Sequence, residues 1–555
     1  MGNALNAGVS GLKAHQSMMD VAGNNLSNVN TTAFKSSRAS FSELLSQTIR
    51  QASAPGDGMG GMNPVQSGNG VEVSSIDRDM NQGALVNTGQ ELDMAIEGAG
   101  FFVMDGSNGE AYSRSGTFSV DADYTLVDPS TGYRLQRIDS TGESDGFQRP
   151  GDTSIRIPYD VALPAAPTTQ ITCVGNLQAD ADSPTTHKMR AGTDYAFTVD
   201  GSTTDASATL ESLDNTTITG AGTMTLAGRD KDGNDFTDTL AVDTTTTGQD
   251  LLDFIENAFS AEGTDVEASL SNGEIIVEAD DAGYNQMDLD LSYSGAAGDS
   301  FELPPYWQIE VAGGEAKKDV NVEVFDTLGI SHAITGSFVK TNTNNQWDFV
   351  ATSVTGDIET FGFDDRRVKG INFGKDGTYM GIDSTIGDSP EINVTFANIG
   401  NVSSFAVDCG DIGKTNGLTQ FGSASTASVI KQDGYASGSL SSMSISRDGV
   451  ITGLFSNGVR RDIATVKMAT FQNPAGLESI GNNYYQATGN SGDAKTSNAM
   501  TGGAGEIRGS ALEKSNVDVA KEFVTLIQAQ NGYQANARTI RVANDMLKEL
   551  TNLIR

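Results

Sequence analysis

Cysteine is nearly absent from this chain of 555 residues, with Cys173 and Cys409 its only two. That is too few for a disulfide framework, and the spacing is not that of a zinc site, so the sequence leaves open one bridge or none. Histidine occurs three times, at His15, His187 and His332, too scattered for a recognisable metal or acid–base cluster. No run of about 18 apolar residues exists to span a bilayer. The start, MGNALNAGVSGLKAHQ, lacks the basic stretch and apolar run of a cleaved secretory signal, and by these rules alone the chain reads as cytosolic. Basic residues are also few, 35 against 72 acidic for a net charge of −37, which repels phosphate backbones and anionic lipid. Aromatic residues make up 7% and proline 12 positions, against 64 glycines. That balance predicts turns and short strands rather than large aromatic cores.

Patterns for chemistry are equally scarce. Gly98-Ala99-Gly100-Phe101-Phe102 lacks the third glycine and the strand-to-helix context of a dinucleotide loop, and no Walker or nucleophile-elbow pattern occurs. Asp230-Lys231-Asp232-Gly233-Asn234-Asp235 suggests a calcium loop. Aligning its glycine, however, puts Gly228 at the first ligand position and Thr239 at the last, so a hairpin tip is the better reading. With 72 carboxylates, a chance glycosidase pair carries no information. No catalytic, cofactor-binding or metal-binding residues are expected, and the chain is read as a non-enzyme.

What is present is organised by position. Residues 1 to 50 hold four basic and two acidic side chains, and residues 505 to 555 hold seven and six, which leaves −40 on the segment between. Nearly neutral ends can pack closely, while an acidic body stays solvated. The length predicts three or four domains.

The ends also carry a helical period. Leu5, Leu12, Met19 and Leu26 recur every seven residues with Val9 between, predicting a helix over about 3–28, although Gln16 and Gly23 weaken the seam. Leu526, Tyr533, Ile540, Leu547 and Ile554 recur likewise, with Ala529, Ala543 and Leu550 three residues further on. Ser515-Asn516-Val517-Asp518 reads as a capping start, Ser515 accepting from the backbone and Asp518 sitting at the positive helix end. Stripes of this kind often mark helices packed on their own domain. Their placement at opposite ends of a β-rich chain points instead to pairing, either antiparallel or between molecules, and each helix alone would be marginal.

Between the ends the period changes to two. Val320, Val322 and Val324, and Ile392, Val394 and Phe396, alternate with polar residues as half-buried strands do. Asp232-Gly233, Asn272-Gly273, Asp376-Gly377, Asp448-Gly449 and Asn457-Gly458 mark hairpin turns, so the body is mainly antiparallel β. The Gly-rich stretch 51–70 reads as a linker or extended arm without regular structure. Residues 247–261 form the exception, with Leu251, Leu252, Ile255, Ala258 and Phe259 on one helical face. This part resembles small β-α-β modules of flagellins and related surface proteins, so 185–305 is read as an inserted domain.

The two ends resemble a known family. GLKAHQSMMDVAGNNLSNVNTTAFKSSRASFSELL (Gly11 to Leu45) is similar to the N-terminal signature of bacterial flagellar rod and hook axial proteins, and GSALEKSNVDVAKEFVTLIQAQNGYQANARTIRVANDMLKELTNLIR (Gly509 to Arg555) to its C-terminal partner. Segments 88–104, 112–128 and 448–485 resemble the proximal domain of that family, and 171–180 and 322–349 an outer domain of the hook type. The stretch 185–305 has no counterpart in the pattern. A distal rod protein shares the ends but lacks the large middle, and a soluble enzyme or adhesin has no need of terminal heptads.

The resemblance implies a mainly β multidomain body with helical N- and C-terminal segments pairing as a coiled-coil-like inner domain. Its divisions would be 1–30 with 515–555 as the inner helices, 31–72 with 505–514 as a connecting arm, 73–150 with 425–504 as the proximal domain, 151–184 with 306–424 as the outer domain, and 185–305 outermost. It implies a flexible tubular homopolymer that joins rod to filament as a universal joint and conducts later subunits. Export would then be through the flagellar type III apparatus without a cleaved signal, which replaces the cytosolic reading. The implied partners are copies of the chain, the distal rod protein, the hook cap protein and the hook–filament junction protein. Cohesion would come from the helix seams named above, sliding from the hydrated acidic body. Gln528, Asn531, Gln534, Asn536 and Arg538 are candidates to line the bore. Some members carry a cross-link between a cysteine-derived residue and lysine. Cys173 is the candidate here, although no lysine lies between Lys35 and Lys188.

Overall fold

The computed structural model describes residues 2–56, 58–106, 109–383 and 390–553. Ile554 of the C-terminal seam lies outside the described residues. The chain divides into two units, Met1–Leu163 with Gly438–Arg555, and Pro164–Ser437. The division therefore falls later on each pass than the sequence boundaries at 150 and 424.

In the first unit, helix α1 (Gly2–Ser27) and helix α3 (Val519–Leu553) run antiparallel. Gly8 lies against Ile540, Gly11 against Asn536 and Gly532 against His15, so position falls along one helix as it rises along the other. At the start of α3 both residues of the expected cap accept backbone bonds, but only Asp518 does so from the helix. Asp518 is the cap, its Oδ1 accepting from the backbone N–H of Ala520 at 2.9 Å and of Lys521 at 3.2 Å, while Ser515 accepts from Val517 outside the helix.

Following α1, strand Ser37–Glu43 pairs antiparallel with Val71–Arg78. The stretch 51–70 is more regular than its composition predicts. Strands Gln47–Arg50 and Val65–Ser67 pair, and bridges Ser53 to Met62 and Gly56 to Met59 carry the ribbon towards its tip. Backbone bonds between Ser53 and Met62 and between Gly56 and Met59 tie the described part of the ribbon without a core.

The rest of this unit is sheet. Phe101–Gly106 and Gly109–Ser113 form a hairpin flanked by Met468–Thr470 and Tyr484–Gln486, over a core of Phe101, Val103, Tyr112, Ala469, Leu477 and Tyr485. The returning segment 505–514 is built into this fold, with Glu506–Gly509 paired to Met94–Glu97 and Ala511–Glu513 to Leu85–Asn87.

The second unit holds two cores. One lies between the meander Lys317–Phe325, Ser331–Lys340, Gln346–Val354, Arg367–Phe373 and Tyr379–Ile382 and a six-stranded sheet containing Glu391–Phe396, Val402–Asp408 and Gln170–Gln178. Val320, Val322, Val324, Ile392, Val394 and Phe396 are all buried there, as their alternation predicts. Among the described strand pairings, Gln170–Gln178 alone pairs parallel, with Val402–Asp408 and Leu418–Phe421. It is the outgoing strand of the unit, and most of the unit intervenes before its neighbours, which supplies the long crossover that parallel pairing requires.

The other core belongs to the inserted stretch. Helix α2 (Gly248–Ala261) starts at a capping box of Thr247 and Asp250 and buries Leu251, Leu252, Phe254, Ile255, Ala258 and Phe259. Against it lie the sheets Val266–Ser271, Glu274–Ala282, Thr186–Arg190, Gln308–Val311 and Asp235–Val242, Gly222–Arg229, Asp288–Ser294. The module thus runs to Val311, past the expected limit of 305. Val339 and Val350 of the meander are buried in this second core, so strand Gln346–Val354 is covered on both faces and loses the alternation of a half-buried strand. The segment 230–235 is the tip of the hairpin between Gly222–Arg229 and Asp235–Val242, where Asp230 accepts from the N–H groups of Asp232 and Asn234.

Ion pairs fix the module to the meander. Arg366 meets Asp288 at 3.1 Å and Arg229 meets Asp364 at 2.6 Å, while the Tyr284 hydroxyl donates to Asp348, which also faces Arg367.

Candidate assembly surface

The contact between α1 and α3 is made by small residues. Gly8, Gly11, Ala14 and Ala22 are buried on α1, and Ala529 and Ala543 on α3. A Cβ on Gly11 would lie 2.7 Å from the Asn536 side chain, and one on Gly532 would lie 2.4 Å from the His15 ring. Each glycine therefore makes room for a side chain of the opposite helix, Ile540, Asn536 or His15, and these close contacts replace interlocked leucines.

This geometry redistributes the seam residues. Leu5, Leu12, Met19 and Leu26 on α1 are only half-buried, and Val9 is 45% exposed. On α3, Leu526 and Ile540 are half-buried, whereas Tyr533, Leu547 and Leu550 are exposed. Within the chain the buried stripe is offset from the leucine heptads, because each side chain that projects into the contact is received by a glycine on the other helix. The heptad residues are left with free surface, which continues in Phe523 (51% exposed), Val524 and Ile527 (57%). The ribbon adds more, with Leu45 90% exposed and Ile49, Met59 and Met62 also bare. Contiguous apolar surface is the kind that interfaces use.

Of the candidate bore residues, Gln528, Asn531, Gln534 and Arg538 are exposed on α3. Asn536 is corrected: it is the side chain against which Gly11 packs, so it belongs to the helix contact. Cys173 is fully buried in the core of the second unit, as is Cys409, and both thiols are free.

Where the helices join the sheets, a polar junction appears that neither composition nor period announces. Lys35, just beyond α1, donates from Nζ to Glu513 Oε1 at 2.7 Å and to the Asn81 carbonyl at 2.7 Å. The N–H of Gly83 also donates to Glu513 Oε1, and Arg114 Nη1 stands 3.5 Å from Oε2. Burial pushes the Lys35 and Arg114 pKa values down, and the Glu513 carboxylate partly restores both. Asn516 accepts from the Ser36 N–H and donates to the carbonyls of Asp79 and Asn81. Asn25 brackets Ser37 by one bond in each direction. The junction draws on segments hundreds of positions apart, and no local signal finds it. Among the described residues, no group of three or more His, Cys, Asp or Glu side chains is placed to hold a metal ion.

Comparison with known proteins supplies the context of this surface. The flagella basal body rod protein profile matches residues 5–35, and the flagellar basal body rod protein C-terminal profile matches 508–553. The D1 domain profile of flagellar hook protein matches 95–179 and the flagellar basal body D2 domain profile 312–435. The flagellar hook protein of Borreliella burgdorferi is 30% identical over all of both chains, as is that of Treponema pallidum, and that of Escherichia coli is 27% identical over 99% of this chain and all of its own. The chain belongs to the flagellar hook protein family.

A hook protein is a structural subunit of the bacterial flagellum, and the mostly β body with paired terminal helices is the architecture expected for this one. The crystal structure of a Helicobacter pylori hook protein aligns with 76% of this chain and 99% of its own at 19% identity and a TM-score of 0.39. The D1 profile ends at residue 179 and the D2 profile begins at 312. The inserted module of this hook protein occupies the interval.

Proposed function

We propose that this hook subunit polymerises through its terminal helices into a flexible curved tube, the universal joint that passes torque from rod to filament and the channel for later subunits. The carrying observation is the helix pair, closed on its small-residue side and bare on its apolar side. A pair built this way is stable as a unit only when the leucine-bearing faces meet other copies. Leu5, Val9, Leu12, Met19, Leu26, Leu526, Tyr533, Leu547 and Leu550 then form contacts between subunits, with Ala529, Ile540 and Ala543 closing the pair itself.

Gln528, Asn531, Gln534 and Arg538 face the bore, where the three uncharged amides hydrate passing chains without holding one sign of charge. The −40 body keeps the tube's exterior hydrated, so neighbouring subunits slide rather than lock. The subunit leaves the cell through the type III export apparatus without a cleaved signal. It contacts the distal rod protein at one end and the hook cap protein, then the hook–filament junction protein, at the other. Electron microscopy of the polymer isolated from cells tests this reading. Short curved tubes of uniform length support it, and straight rods or discrete particles refute it.

A further inference from the structure

The two cysteines are far apart in sequence and adjacent in the sheet. Strand Gln170–Gln178 pairs parallel with Val402–Asp408 in the register Gln170 to Ala406, Ile171 to Val407 and Thr172 to Asp408. Cys173 and Cys409 are the residues that follow the last pair of that register, and Cys173 is paired on its other side with Val429, across an irregularity between Thr172 and Cys173. Beyond it the ladder passes to Leu418–Phe421, with Gly175 facing Leu418 and the Leu418 N–H bonded to the Cys409 carbonyl at 2.8 Å. Cys409 is therefore anchored where the ladder changes partner, in the same core as Cys173.

Their side chains point the same way. Ile171 and Cys173 alternate inward on one strand, and Phe405, Val407 and Cys409 on the other, all in one apolar core. Neighbouring strands lie about 4.8 Å apart, inside the Cα separation of roughly 4.4–6.8 Å that a disulfide spans. The nearness is electrostatic as well: burial first, and then Cys173, raise the pKa of Cys409, and burial pushes the Cys173 thiol up to about 12.

We propose that Cys173 and Cys409 are an oxidisable pair, closing an intramolecular disulfide that fastens the outgoing strand of the second unit to its returning strand. The co-reactant is a small-molecule disulfide. One cysteine thiolate attacks it, breaking its S–S bond, releasing one thiol and leaving a mixed disulfide. The second thiolate attacks the protein sulfur of that intermediate and releases the other thiol. The two protein thiols lose their protons to water and two electrons to the reagent, which ends as two thiols.

Because both sulfurs are buried and poorly ionised in the folded sheet, exchange occurs while the strands are still pairing. Once shut, the bridge encloses nearly all of the second unit in one covalent loop, including the inserted module. Such a loop removes entropy from the unfolded chain and stiffens the body after folding in an oxidising medium. The chemistry belongs to this unit and does not depend on polymerisation.

The test uses the full-length chain, unfolded with reductant and refolded by dilution into a reduced and oxidised glutathione buffer. The product is then unfolded without reductant and treated with N-ethylmaleimide. The expected result is a monomer two hydrogens lighter than the reduced chain, unlabelled, with a peptide pair joining Cys173 to Cys409. Its thermal midpoint, followed by tryptophan fluorescence, rises by about 5–10 °C and falls back on adding reductant. Cys409→Ala leaves Cys173 open to labelling or glutathione capture, and Cys173→Ala does the same for Cys409. Labelling of both thiols after oxidative refolding, bridges only between chains, or a bridged monomer that melts lower than the reduced one each overturn the proposal.

Discussion

Lys35 Nζ and Glu513 Oε1 are 2.7 Å apart with both side chains buried, across 478 positions of sequence. The pair ties the segment after the first helix to the strand before the last one, and Arg114 completes it from the sheet between. A buried ion pair contributes little by existing, but removing one partner leaves an uncompensated charge. Glu513→Gln is therefore expected to destabilise the first unit by about 3–5 kcal/mol, with much less loss in the double variant Lys35→Met, Glu513→Leu. Trp307 and Trp347, the only tryptophans, lie in the second unit. Far-ultraviolet circular dichroism in urea, which follows the helices, is the measurement to use.

The close helix contact gives a second expectation. Gly532→Val places a branched side chain where even a Cβ would meet the His15 ring at 2.4 Å. The pair must separate, so helical signal falls and no tubes form, while fluorescence of the second unit is unchanged. Retained tubes would show that the helix contact is not needed for assembly.

Gln534→Leu changes an exposed side chain of α3 without touching α1. On the proposal that Gln534 faces the bore, leucine there would retard unfolded chains in transit. Hooks of normal length with short or missing filaments are the expected outcome in cells carrying this variant, counted by electron microscopy.

Acid acts on the second unit through His187. Its Nδ1 accepts from the Gly313 N–H at 3.1 Å, and burial first, then Arg367 and Arg366, lower its pKa from 6.5 to about 3. The unfolded chain binds this proton below 6.5 and the folded one does not, so stability is full above 6.5 and is lost as pH falls towards 3. The loss reaches on the order of 3 kcal/mol by about pH 4. His187→Asn keeps an acceptor that does not titrate, and the difference between the two urea-midpoint profiles should flatten above pH 6.5.

Phe259 anchors the inserted module, fully buried and edge-on to Phe236 with ring centroids 5.1 Å apart. Phe259→Ala should cost about 3–5 kcal/mol, read as early loss of fluorescence in urea because Trp307 shares its core.

Local chemistry made much of this fold legible in the sequence. The heptads located both terminal helices, alternation located the strands on which Val320 and Ile392 lie, and five Asp-Gly or Asn-Gly pairs marked turns between strands. Asn272 and Gly273, both at positive φ, show why such pairs are reliable. Each of these signals is carried by neighbours in the chain, where period and φ preference act. The same locality explains the errors. Composition made 51–70 look structureless because ribbon pairing is set across the chain, and the four-residue start at 515–518 read as one cap because nothing local shows that the Asn516 side chain is held by Ser36, Asp79 and Asn81.

The sequence by itself determined that the ends are helical and nearly neutral, that the body is β-rich and acidic, and to which family the whole resembles. Tertiary structure alone decided which face of each helix closes the pair, since that depends on how near two axes approach and only Gly8, Gly11 and Gly532 allow it. It alone placed Lys35 on Glu513, Asn536 in the helix contact and Cys173 in one core with Cys409. Contacts between residues hundreds of positions apart depend on sheet register and packing, and neither is written in any one stretch of the chain.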